Sequence, residues 1–225
     1  MNRMKILLSM LAGLLVLAMT PHVSMAAPTM RPSLDAGSTD SVGIEFKVAY
    51  EEGVYALYMR SNVTPDGLNL TLTSQVTIKV PHAGDGSRFT VADLQNLVAG
   101  TEWAQTSRVD APREDANADY ISFTVTFTDG DHRVYQWAEG QEIKLFTFAN
   151  EGACLGSVSL MENGDTFNNA RNSANTNPGN QIDVLGIDND NAYLGNYGSA
   201  ADCGARTQPD EESMLNKIFM PLIQQ

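Results

Sequence analysis

The sequence predicts an all-β protein: an antiparallel β-sandwich with one short helix in its body and a C-terminal helical tail. Three observations point there. Many short segments alternate apolar and polar residues with the period of two that a half-buried strand requires. Clusters of Gly, Asn, Asp and Pro separate them. Only one segment of the body carries a helical spacing, which leaves sheets to bury each other. A closed barrel is the competing architecture.

Along the chain, Met1-Asn2-Arg3-Met4-Lys5 is a cationic start, Ile6 to Met19 is apolar, and Ser24 and Ala26 are small. This is the pattern of a signal peptide over residues 1–26, with Ala27 opening the mature chain. A membrane anchor is the other reading, but the apolar run is shorter than the ~20 residues of a spanning helix. The expectation is therefore a secreted, extracellular or cell-surface protein with no transmembrane span after cleavage. Residues 27–42, rich in Pro, Ser, Thr and Gly, read as an extended N-terminal arm.

The sandwich domain is expected over residues 43–204. Ile44, Phe46, Val48 and Tyr50 alternate with polar neighbours, and Glu52-Gly53 turns the chain into Val54 to Arg60 as a hairpin. Asn62 to Leu68 is a loop. Val76, Ile78 and Val80 form a strand that stops at Pro81. Val91, Leu94 and Leu97, three apart behind Ser87 or Thr90 as a cap, predict a short helix over Thr90 to Leu97. The clearest strand is Tyr120 to Thr128, where Ile121, Phe123, Val125 and Phe127 face one way. Shorter strands are expected at Arg133 to Trp137, Glu142 to Phe148, Ser157 to Leu160, Ile182 to Leu185 and Ala192 to Leu194. Between them, Glu162 to Asn180 holds seven asparagines and few apolar residues, as befits a long surface excursion.

Residues 205–225 read as a linker and a short amphipathic helix. Asp210-Glu211-Glu212 suits a helix start, and Leu215, Ile218, Phe219 and Leu222 follow as one apolar stripe, with Pro221 kinking or ending it. The stripe needs cover: another protein subunit, or its own sandwich.

Removal of Arg3 and Lys5 with the leader leaves 12 basic against 27 acidic residues, a net charge of −15. Such a surface repels phosphate backbones, so nucleic acid is not an expected partner. The two cysteines, Cys154 and Cys203, are expected to pair in an oxidising compartment, two buried thiols being the alternative. Asp183, Asp188 and Asp190, with Asn189 and Asn191, form the one candidate cofactor site, an irregular calcium loop, against the alternative of a solvated acidic turn. An EF-hand beginning at Asp188 is excluded because Tyr193 and Ser199 stand where Gly and Glu are needed. Trp137 and Tyr193 border polar loops and are candidate glycan-stacking rings, the other aromatic residues being core. His82 and His132 are the only histidines after the leader, and no nucleophile elbow, phosphate loop or zinc motif accompanies them, so no catalytic residue is assigned and an enzyme is not expected.

The runs VPHAGDGSRFTVADLQNLVAGTEW, VDAPREDANADYISF, LFTFANEGACLGSVSLMENGDTFNN and NSANTNPGNQIDVLG resemble a module of secreted and surface proteins of bacteria that is similar to cohesin and carbohydrate-binding sandwich domains. The resemblance spans Gly43 to Gly204. It implies a sandwich of cohesin-like or jelly-roll type with a non-catalytic role. The expectation is a structural or adhesive module that assembles with other protein subunits outside the cytoplasm, by self-association or on a surface scaffold, in a filament, matrix or surface layer. A carbohydrate-binding module is the alternative.

Overall fold

A computed structural model describes residues 41–204, apart from Asp66, Leu68, Asp85, Gly86 and Asn189. The expected signal peptide, most of the expected N-terminal arm, and the expected helical tail with Leu215, Ile218, Phe219 and Leu222 lie outside the described residues. Among the described residues eleven strands run in chain order: β1 (Ile44–Glu51), β2 (Val54–Ser61), β3 (Leu70–Pro81), β4 (Val91–Asn96), β5 (Thr101–Asp110), β6 (Ala118–Phe127), β7 (Glu142–Asn150), β8 (Ser157–Leu160), β9 (Gln181–Leu185), β10 (Tyr193–Asn196) and β11 (Ala201–Asp202). They form two packed sheets. One is ordered β10-β1-β2-β7-β4, the other β11-β8-β3-β6-β5, with β9 also on β3.

The apolar alternation read from the sequence is what joins the sheets. Ile44, Phe46 and Val48 of β1, Tyr55, Leu57 and Met59 of β2, and Phe146 and Phe148 of β7 face Val76, Ile78 and Val80 of β3 and Ile121, Phe123 and Val125 of β6. At the centre, Phe123 packs on Phe146 and Phe148, with ring centroids 5.1 and 5.5 Å away. Burying an aromatic side chain of this kind is worth roughly 1.5–3 kcal/mol, so this cluster is a main source of stability.

Three features differ from the sequence reading. First, Thr90 to Leu97 is not a helix, and none occurs among the described residues. Val91 to Asn96 is the edge strand β4, paired with β7, and its register shifts between Ala92 and Gln95. Asp93 there adopts a left-handed backbone, φ 50°, which Asp tolerates better than most residues. The bulge breaks the period of two, so Val91 and Leu94, three apart, both pack on the core, and a bulged strand imitates a helical spacing. Leu97, the third member of that pattern, stays exposed. Second, Arg133 to Trp137 forms no strand, although Tyr135 and Trp137 are buried. Third, the pairing is not wholly antiparallel, because β1 takes β10 as a parallel neighbour.

Candidate functional site

The long strand β3 organises one side of the molecule. One of its edges pairs with β6 along Gln75 to Pro81. The other is divided, with β9 along Leu70 to Gln75 and β8 at Ile78 and Lys79. Between the two the ladder has a gap at Thr77, and Asn180 fills it. Its Oδ1 accepts the Thr77 N–H at 2.7 Å, and its Nδ2 donates to the Met161 carbonyl at 2.8 Å and the Tyr193 hydroxyl at 3.0 Å.

The asparagine-rich excursion between β8 and β9 has a small core of its own. Phe167 is fully buried against Tyr120, 4.6 Å between centroids, with Met161 and Ala118 beside them. Asn172, also buried, donates to the carbonyls of Phe167, Asn169 and Thr176 and accepts the Thr176 N–H. Side-chain amides thus replace the backbone ladder that the loop lacks. Lys79 pins the excursion from below, bonding Asp115 at 2.6 Å and Asp165 at 3.1 Å, while the Tyr120 hydroxyl donates to Asp165 at 2.9 Å. Burial alone would lower the Lys79 ammonium, but Asp115 and Asp165 outweigh it and hold the ammonium above its usual range. The same bond with Lys79 keeps the Asp115 carboxyl low.

A second polar network lies at the start of β6. The buried carboxylate of Asp119 meets Arg108 at 2.7 Å, His82 Nδ1 at 2.7 Å and the Ala111 N–H at 3.0 Å, and Arg108 also donates to the Phe89 carbonyl at 2.6 Å. Sequence reasoning passed over this Asp–His pair. Its signal was parity, since Asp119 continues the inward series of Ile121, Phe123 and Val125 backwards by two residues.

The acidic calcium candidates sit on β9 and the turn after it. Asp183 is on the strand, and Asp188 Oδ1 accepts the Asp190 N–H at 3.0 Å. Burial, then the charges of Asp190 and Asp188, push the Asp183 carboxyl up. The three are electrostatic neighbours, yet their oxygens do not close into a ligand set. Among the described residues, the one group of three ligating side chains within 4.8 Å of one another is Cys154, Asp202 and Cys203, whose sulfurs are joined. Asn191, read with the acids, instead accepts the N–H groups of Ile182 and Tyr193.

The two candidate stacking rings are in the core. Trp137 is 6% exposed and packs on Tyr135 at 5.6 Å; Tyr193 is 7% exposed, stacks on Phe46 at 5.1 Å and donates to Asn196 at 2.6 Å. Neither offers a ring face to a sugar in this arrangement. Bordering a polar loop identifies a strand end, and at a strand end a ring can still turn inward.

Cys154 and Cys203 form the expected disulfide, with Cα atoms 5.7 Å apart. It closes one wall of a small open pocket of about 90 Å³, lined by Tyr50, Gly53, Tyr55, Asn150, Gly152 and the two cysteines among others. Asn150 fixes the neighbouring loop, accepting the Thr90 N–H at 2.8 Å and donating to the Ala153 carbonyl at 2.7 Å. Tyr55 stacks on Phe148 at 5.3 Å, and its buried hydroxyl has no hydrogen-bond partner among the described residues. Burial, then Tyr50 and Asp202, push that hydroxyl's pKa up to about 12, so it stays a donor.

The opposite flank is open. β4 ends one sheet and β5 ends the other, and the short turn between them sets the two edges side by side. Asn96 occupies one rung of the β5 edge, its Oδ1 accepting the Trp103 N–H at 2.7 Å and its Nδ2 donating to the Trp103 carbonyl at 3.3 Å. Beyond Trp103, Ala104, Gln105 and Thr106 are exposed, and among the described residues no strand of this chain pairs with the outer side of β5. The sequence reading had no strand here, because Thr101 to Asp110 is mostly polar. Comparison with known proteins finds no match to a family model, a curated protein or a solved structure, so the chain stands as an all-β sandwich with no family identified.

Proposed function

We propose that this chain is an exported, non-catalytic structural or adhesive module that assembles with other protein subunits outside the cytoplasm, taking an extended strand of a partner subunit along the open edge of β5. The observation that carries the reading is that edge: a ten-residue strand with Ala104, Gln105 and Thr106 exposed and no partner strand on its outer side among the described residues. Unpaired N–H and C=O groups in a row are a template for strand addition. The acid–base groups support a non-catalytic role, since Asp119, Arg108, Lys79, Asp115 and Asp165 are all engaged in holding loops. The leader pattern supports export, and the acidic composition disfavours nucleic acid.

Light scattering and negative-stain microscopy of the full mature chain test this. Higher-order species are expected, and the double variant Gln105→Lys, Thr106→Lys should disperse them with an unchanged melting temperature, because edge lysines block strand pairing. A strict monomer at high concentration, or assembly indifferent to the lysines, overturns the reading.

A further inference from the structure

The turn that opens the asparagine-rich excursion holds the chain's one Asn-Gly pair, Asn163-Gly164. The Asp165 N–H donates to the Glu162 carbonyl at 3.1 Å, so the pair occupies the two central positions of the turn, and both residues are exposed. Open space lies where a Cβ of residue 164 would stand, and the Gly164 N–H has no hydrogen-bond partner among the described residues. Nothing therefore shields or ties the backbone nitrogen that follows the Asn163 side chain. The Asn163 carbonyl accepts from Asn168 Nδ2 at 3.2 Å. That carbonyl shares a peptide unit with the Gly164 nitrogen. When the nitrogen loses its proton, the charge spreads onto an oxygen that already faces a donor. Other asparagines of the excursion lack this set: Asn172 is buried with its amide engaged, and Asn177 precedes a proline, which has no N–H.

We infer that Asn163-Gly164 is a self-modification site, at which the asparagine converts to aspartate and isoaspartate without an enzyme. The deprotonated Gly164 nitrogen attacks Asn163 Cγ and forms a C–N bond, closing a succinimide ring. The Cγ–Nδ2 bond breaks, and ammonia leaves with the proton taken from Gly164. Water then adds to one or other ring carbonyl, giving aspartate or isoaspartate, so one water is consumed for each ammonia released. To react, the Asn163 amide must first let go of the Leu194 carbonyl, to which its Nδ2 donates at 3.0 Å. The side chain is exposed, and water takes over that bond at a net cost of about 0.5–1.5 kcal/mol. The product carboxylate cannot donate to Leu194. The excursion thus loses a tie to β10 and gains a negative charge between Glu162 and Asp165. The site is separate from the β5 edge, and its test does not depend on assembly.

The test is peptide mapping by mass spectrometry of the full mature chain before and after several weeks in warm buffer at pH 7, with enzymatic methylation of isoaspartate as a second readout. Conversion is expected at Asn163 ahead of every other asparagine. Gly164→Ala, for which the turn has room, should slow it at least about tenfold, because the added methyl group hinders the approach of the nitrogen to Cγ. No conversion at Asn163, conversion spread evenly over the asparagines, or an unchanged rate in Gly164→Ala overturns the proposal. Should Gly164→Ala fail to fold, Asn168→Ala decides: slower conversion when folded, with no difference from wild type in urea, supports the site, and an unchanged rate refutes it.

Discussion

Asn180 accepts the backbone N–H of Thr77 at 2.7 Å, 103 positions away in sequence, and so supplies with one side chain the rung that neither β8 nor β9 gives to β3. Asn180→Ala would leave the Thr77 N–H without its partner in a buried site, whereas the Met161 carbonyl keeps the Asn196 Nδ2 donor at 3.0 Å. A loss of about 1–3 kcal/mol is expected in urea unfolding, the cost of one stranded buried group. Asn180→Asp should be no better, since it keeps the acceptor but loses the donor to Met161 and Tyr193 and buries a charge.

The disulfide should contribute through the unfolded chain. Cys154 and Cys203 are 49 positions apart, and closing a loop of that length is worth about 4 kcal/mol in the chain-entropy model. Cys203→Ser is expected to lower stability by about 2–4 kcal/mol in denaturant melts, and a reducing agent should do the same to the wild type and nothing further to the variant.

Asp183 should be a source of instability at neutral pH. Its carboxyl is raised in the folded protein, so folding favours the protonated form; the cost of ionising it is absent below its ordinary value of 3.8 and complete above its folded value. Asp183→Asn should therefore raise the melting temperature at pH 7 and have no such effect below pH 3.8. In the wild type, millimolar calcium should leave the melting curve unchanged, since Asp183, Asp188 and Asp190 do not converge on one point.

Gly43 stands at the mouth of the parallel pair. A Cβ there would lie 2.4 Å from the Ala192 carbonyl oxygen and 2.6 Å from Leu194 Cγ, and Ala192 O is the acceptor of the Ile44 N–H. Gly43→Ala is expected to cost about 1–3 kcal/mol as β10 is forced outward, and hydrogen exchange should show lost protection at Ile44 first.

The sheets were legible in the sequence wherever both faces of a strand differ in polarity. Ile121, Phe123, Val125 and Phe127 alternate with Ser and Thr, and β6 lies where that alternation placed it. Thr101 to Asp110 gave no such signal, because only Trp103 and Thr101 are well buried on an edge strand. The bulge at Asp93 disguised β4 as a helix by shifting its parity. The disulfide needed only a count of two cysteines, whereas the pocket it borders depends on Tyr50, Tyr55 and Asn150 converging from three strand ends, which no local spacing encodes.

The parallel neighbours β1 and β10 also bear on the order in which the chain can fold. Ile44 meets Tyr193, a partner 149 positions later, and Ala201 closes on Val158 only after that. A chain emerging from its N-terminus forms the β1–β2 hairpin early, but one flank of that hairpin stays bare until nearly the whole domain has appeared. Contacts of such long range slow folding and extend the time during which a sticky strand edge is on offer. For a molecule with a second open edge at β5, the interval before β10 arrives is when wrong pairing between chains competes most strongly with the native fold.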